Sequence, residues 1–176
     1  QSRSSAASDV YKRQLDKYNA HLVYSIDELA ATLQIFSHYT YVANKGIASI
    51  HDSGGERELI VDLAEDLSIQ FAKLSRETKL KLSKILEPTM DTSNPLDAWG
   101  SGHKADELFE KAFEAILSDK NVSLGLYVQD WRQDYYLHLM HEKVIFKIKK
   151  NSTKPVIAVS NYCLLYTSDA ADDLLC

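Results

Sequence analysis

Cysteine is almost absent from this 176-residue chain: the two present, Cys163 and Cys176, both lie close to its C-terminal end. Residues 1–162 therefore hold no disulfide framework, thiol nucleophile or Cys-ligated metal site. With three prolines and six glycines, no low-complexity stretch stands out. No window approaches the roughly 18 consecutive apolar residues of a spanning helix, and the first residues lack a signal peptide's apolar core. These absences predict a soluble, cytoplasmic protein. A basic excess is missing too: 20 Lys and Arg face 25 Asp and Glu, a formal net charge of −5. Counterion release needs a concentrated basic face, and the Lys149–Lys150 pair is too short to supply one, so nucleic acid and anionic membranes are excluded as primary partners. What is present is 45% apolar residues, enough for the core of one domain, which excludes intrinsic disorder.

The two ends share an unusual relation. Ser4 to Gln14 reads SSAASDVYKRQ and Cys163 to Asp173 reads CLLYTSDAADD. A DNA string encoding the first, reverse-complemented and shifted by one base, encodes nearly all of the second. Inverted adapters flanking a DNA insert produce that relation, and two ends of one gene have no reason to. Residues 1–14 and 163–176 are accordingly expected to be translated sequencing-library adapter and not native protein, with 15–162 an internal, metagenomic fragment of a longer gene. Both cysteines fall in the second tail, so the insert is expected to contain none.

Periodicity divides the insert into helices alternating with short apolar runs. Ser25 and Glu28 form an S-x-x-E capping box ahead of Ile26, Leu29, Ala30, Leu33 and Phe36 on one helix face. Gly46 to His51 reads as a strand that stops at Asp52-Ser53-Gly54-Gly55. Leu59, Ile60, Leu63, Ala64 and Leu67 mark the next helix, Ile69 to Leu74 a strand, and Ser75 the cap of a helix closed by Pro88. After an irregular stretch from Thr89 to His103 come a helix with Leu108, Phe109, Phe113 and Ile116 inward, a strand at Leu124 to Val128, a helix from about Tyr135 to Lys149, and a strand at Pro155 to Val159. Strands separated by helices imply βαβ crossovers. The expected fold is an α/β, three-layer, doubly wound parallel sheet in flavodoxin-like order, with ligands at the C-terminal ends of the strands.

Two loops fall at such ends. In Asp52-Ser53-Gly54-Gly55 the glycines allow close backbone approach, the helix N-terminus offers unpaired N–H groups and about half a positive charge, and Ser53 adds a hydroxyl. This is an anion seat, or else a tight turn in which Ser53 merely caps the helix. In Asn94-Pro95-Leu96-Asp97, followed by Trp99-Gly100-Ser101-Gly102, either an Asx-Pro turn or a carboxylate lining the same crevice is expected. His51, Asp52 and Ser53 are adjacent in the chain and so cannot converge as a triad. His138 and His141 could share a helix face but lack a third ligand, and read as ordinary surface or half-buried side chains. Tyr127, Trp131, Tyr135 and Tyr136 read as core and crevice wall.

The order of these motifs resembles a known family. Tyr18 to Val23, Ser25 to Leu29, the strand into Asp52 to Gly55, Leu74 to Thr78, Pro88, Asn94 to Asp97 and Leu117 to Val122 are similar in sequence and spacing to the nucleoside-diphosphate-forming acyl-CoA synthetases. These are the ADP-forming acetate–CoA ligase relatives of succinyl-CoA synthetase. The resemblance implies a succinyl-CoA synthetase-like flavodoxin domain at 46–162, truncated C-terminally, preceded by a helical segment at 15–45 from the preceding domain or linker. It implies a parent ligase that makes acyl-CoA from an acid, CoA and ATP, with Mg, through an acyl phosphate and a phosphohistidine on a mobile loop. Asp52, Ser53, Gly54 and Gly55 would stabilise that phosphate, and Asn94, Pro95, Asp97 and Gly100 would border the substrate pocket. The histidine loop, the CoA-binding domain and the metal-binding ATP-grasp domain would be partners outside this chain, leaving it without a catalytic residue, bound cofactor or metal and inactive alone. The same resemblance also admits a non-catalytic CoA- or acyl-CoA-sensing regulatory domain.

Overall fold

The computed structural model describes residues 2–131 and 136–160, with side chains from residue 9 onward. Tyr135 and the second tail, with both cysteines, lie outside the described residues. The chain divides into two units, Gln1–Tyr41 and Val42–Cys176.

In the first unit, α1 (Ser2–Lys17) runs without interruption through the junction expected at residue 14, and α2 covers Ile26–His38. Half of the predicted capping box is present: Ser25 Oγ accepts from the Glu28 N–H at 3.0 Å, while the Glu28 carboxylate accepts from the Tyr24 N–H at 2.6 Å, one residue before the N-cap. The apolar stripe of α2 buries no residue, and Ile26, Leu33 and Phe36 are all exposed.

The second unit holds a four-stranded, wholly parallel sheet in the order β2-β1-β3-β4. Its strands are β1 (Gly46–His51), β2 (Leu96–Asp97), β3 (Val122–Gln129) and β4 (Val156–Ser160). Its helices are α3 (Gly54–Asp66), α4 (Arg76–Ile85), α5 (Ala105–Leu117) and α6 (His138–Asn151). This is the expected α/β class, consistent with a flavodoxin-like fold. Side chains alternate across the sheet. Ala48 and Ile50 share one face with Gly125 and Tyr127, their register partners. That face carries the core, where Leu82, Leu96, Phe109, Phe113, Ile116 and Ile148 are closed to solvent. Gly125 permits the close approach of α5: a Cβ there would stand 2.5 Å from Leu117 and 2.8 Å from Phe113. Ser49 and His51 alternate onto the other face and are fully buried.

One predicted strand is absent. Ile69 to Leu74 contributes a single parallel bridge, Phe71 to Ile47, in place of a strand. The outer edge of β1 is instead completed in three pieces. The Ile47 N–H donates to the Gln70 carbonyl, and Ile47 O accepts from the Ala72 N–H. The Asn94 carboxamide comes next, its Nδ2 donating to Ile47 O and Ala72 O at 3.0 and 2.9 Å while its Oδ1 accepts from the Ser49 N–H at 3.1 Å. β2 then pairs with Ile50 and His51. A side-chain amide thus occupies a position that a peptide unit would hold in a continuous strand. α4 ends at Ile85, and its N-cap Ser75 accepts from Thr78 N–H as its sequence suggested. α3 departs from expectation: Leu59, Leu63 and Leu67 are about half exposed or more, and of its apolar stripe only Ala64 is buried.

Candidate functional site

β1 ends at His51, and the next four residues turn the chain into α3. Ser53 occupies the N-cap position with extended backbone, φ −146° and ψ 132°, but its hydroxyl makes no capping hydrogen bond. The plain-cap alternative therefore fails in its side-chain part. Ser53, Gly54 and Gly55 are exposed, so the first N–H groups of α3 open to solvent at the C-terminal end of a central parallel strand. Surface hollows among the described residues include two away from this turn. One, of about 250 Å³, includes Glu114, Ser118, Asn151 and Lys154; the other, of about 400 Å³, includes Asp106, Glu110, Tyr136 and Lys147. Neither includes the α3 turn.

The second loop divides in two. Asp97 pairs with His51 in the β2–β1 register, and a Cβ added to Gly54 would lie 3.3 Å from its Oδ2. Its other oxygen accepts from the Trp99 N–H at 3.1 Å. The carboxylate thus stands beside the serine loop, as one reading of the sequence expected. Asn94 is committed to the β1 edge, and Pro95 follows it through a cis peptide bond. Gly100 belongs to a separate cluster, packed on Glu87, whose carboxylate accepts from the Ser101 N–H and hydroxyl at 2.9 and 2.7 Å. Those hydrogen bonds hold the Glu87 pKa below its ordinary value.

Buried titratable groups gather behind the turn. His51, fully buried, has its Nε2 2.9 Å from the Ser49 hydroxyl and no partner at Nδ1. Burial lowers its pKa to about 4, against the opposing charge of Asp52 and with the help of Arg57. His141 corrects the sequence reading: it is neither a surface nor a half-buried side chain but 1% exposed, between Tyr127 and Asp52. A single histidine on a helix face carries no signal of a partner 14 or 89 residues away, so sequence reasoning could not find this link. Tyr136, expected in the crevice wall, is 78% exposed, whereas Tyr127 and Trp131 are buried as expected. Gln129, at the end of β3, is fully buried with both amide atoms unpartnered. No group of three or more His, Cys, Asp or Glu able to hold a metal ion occurs among the described residues.

No protein-family model matches the chain. Curated relatives do. Trans-feruloyl-CoA synthase from an unidentified prokaryote is 28% identical over 98 residues, covering 56% of this chain. The ADP-forming acetate–CoA ligase II of Archaeoglobus fulgidus is 28% identical over 116 residues, or 65% of this chain. The ADP-forming acetate–CoA ligase of Methanocaldococcus jannaschii is 32% identical over 77 residues, or 44%. This chain is similar in sequence to ADP-forming acetate–CoA ligases and to a feruloyl-CoA synthase. It spans only 14%, 17% and 11% of the lengths of those three relatives, in the same order. Among solved structures, a Pyrococcus horikoshii protein superposes with a TM-score of 0.73 at 23% identity, over 88% of this chain and 35% of its own. The acetyl-CoA synthetase 1 of Candidatus Korarchaeum cryptofilum, solved with phosphate and ADP, gives 0.71 at 18% identity, over 86% of this chain and 32% of its own. At those identities the structural likeness speaks for the fold.

Proposed function

We propose that the chain is a piece of an ADP-forming acyl-CoA synthetase in which the first turn of α3 receives a phosphoryl group carried on a histidine elsewhere in the enzyme. The observation that carries this reading is the exposed Ser53–Gly55 turn, with free helix N–H groups and an uncommitted serine hydroxyl at the end of β1. A seat on an open surface suits a phosphate delivered on a protein loop better than a small ligand that must be enclosed. Asp97 beside Gly54 adds to this. Its carboxylate can accept the N–H of an imidazole that bears the phosphoryl group, so free inorganic phosphate is expected to bind the seat more weakly than a phosphoryl group delivered on histidine. Asn94, Pro95 and Gly100 then shape the second loop and leave Asp97 as its member at the seat.

In this reading acid, CoA and ATP give acyl-CoA, ADP and phosphate only in the whole enzyme. The nucleophilic histidine, the CoA-binding domain and the Mg- and ATP-binding domain belong to its remainder. The working unit is 46–162, with 15–45 leading into it and 1–14 and 163–176 foreign. Titration of the isotopically labelled chain with inorganic phosphate, followed by NMR, is expected to shift the Gly54 and Gly55 amides. Gly54→Val is expected to weaken binding about tenfold or more, because its side chain would crowd the seat against Asp97. Equal affinity in the two proteins would overturn the reading.

A further inference from the structure

Behind the turn, three polar side chains from three different elements meet in the core. Tyr127 projects from β3 toward α5 and α6, and its hydroxyl lies 2.9 Å from Nδ1 of His141 on α6. Nε2 of the same ring faces Oδ2 of Asp52 at 3.6 Å, too long for a hydrogen bond, and has no other partner, so the carboxylate is the acceptor nearest to it in polar reach. Tyr127 and His141 are closed to solvent, and Phe109 packs edge-on against the imidazole at 5.1 Å. The Tyr127–His141 hydrogen bond satisfies one side of the ring, and a buried Nε2 without a hydrogen bond is costly enough to favour any closer approach of the Asp52 carboxylate. The Asp52 carboxylate favours the ring proton on Nε2, and Nδ1 then accepts from the Tyr127 hydroxyl. Burial, reinforced by the charge of Asp52, keeps that hydroxyl protonated by holding its pKa well above 10.

Asp52 is the first residue beyond β1 and immediately precedes Ser53. Fixing its carboxylate fixes the point from which α3 departs. Two consecutive glycines leave the next residues with the greatest backbone freedom, and a hydrogen-bond donor misaligned by tens of degrees loses most of its strength. We propose that His141, braced by Tyr127, is a positioning residue that holds Asp52 and thereby aims the Gly54 and Gly55 N–H groups. The functional meaning of this brace rests on the phosphate reading of the turn; the bracing itself is measurable without phosphate.

The experiment compares the full chain with Tyr127→Phe, His141→Leu and His141→Gln, reading amide hydrogen exchange at Ser53 to Gly55, inorganic phosphate affinity and thermal unfolding. His141→Leu is expected to speed exchange in the turn and weaken phosphate binding, each about fivefold, the scale of one lost long polar contact. His141→Gln keeps a donor toward Asp52 and is expected to restore most of both. Tyr127→Phe removes a single oxygen and is expected to move both in the same direction by a smaller factor; it decides the matter should His141→Leu fail to fold. Variants that lower the unfolding temperature while leaving turn exchange and phosphate affinity of the folded protein unchanged would overturn the proposal. A wild-type chain that ignores phosphate, with variants that still loosen the turn, would remove the phosphate reading and leave the brace standing.

Discussion

His51 stays neutral in the folded protein because burial has lowered its pKa from 6.5 to about 4. The unfolded chain binds a proton at this residue below pH 6.5 and the folded chain does not until about pH 4. Stability therefore falls as pH drops through that interval and is insensitive to His51 below it. The full loss is about 3 kcal/mol at 1.36 kcal/mol per pH unit. Urea unfolding at a series of pH values is expected to show this slope, and His51→Gln to flatten it between pH 6.5 and 4. Asp119 acts lower on the scale. Burial alone would raise its pKa, but hydrogen bonds from Thr78 and from the Asn121 and Ser75 N–H groups bring it down to about 2. Its stabilising charge is present above pH 3.8 and is lost as pH falls toward 2. In Asp119→Asn the remaining acid sensitivity in that lower window is expected to shrink.

At the scale of elements, the informative one is the strand that did not form. Ile69 to Leu74 has the apolar content of a strand, and periodicity alone predicts one. Tertiary context decides otherwise, because Asn94 and β2 claim the rest of the β1 edge. Asn94→Ala removes three hydrogen bonds, leaves the Ser49 N–H unpaired, and is expected to cost about 2–3 kcal/mol in chemical unfolding. Asn94→Asp is expected to cost more, since a carboxylate would then face the Ile47 and Ala72 carbonyls. Unchanged stability in both would return Asn94 to a role at the substrate pocket. The helices were legible because capping residues and a 3.6-residue period are local signals, as Ser25 and Ser75 illustrate. The serine loop's place at a strand end was legible for the same reason, whereas Asp97 stood open between an Asx-Pro turn and a crevice carboxylate until the β2–β1 register set it beside Gly54. The Tyr127–His141–Asp52 link was not, because it joins residues distant in the chain through side chains with no shared period.

At the scale of the whole molecule, the chain spans 11–17% of the lengths of its curated relatives. The purified chain is expected to form no acyl-CoA from acid, CoA and ATP in an assay of ADP release and thioester formation. Supplying the remaining domains in trans is expected to restore turnover if the α3 turn is sound. No helix among the described residues is long and apolar enough to cross a membrane.

The edge of β1 has one more consequence. An open strand margin with alternating donors and acceptors is a template on which another chain can add itself. Here the vulnerable stretch between Ile47 and Ser49 is filled by a single carboxamide, which satisfies both groups yet offers no backbone along which a further strand could grow. Asn94 thereby closes the gap between the Phe71 bridge and β2, and in Asn94→Ala that short margin of β1 is expected to be the one place where the interior strand offers unpaired groups to another chain.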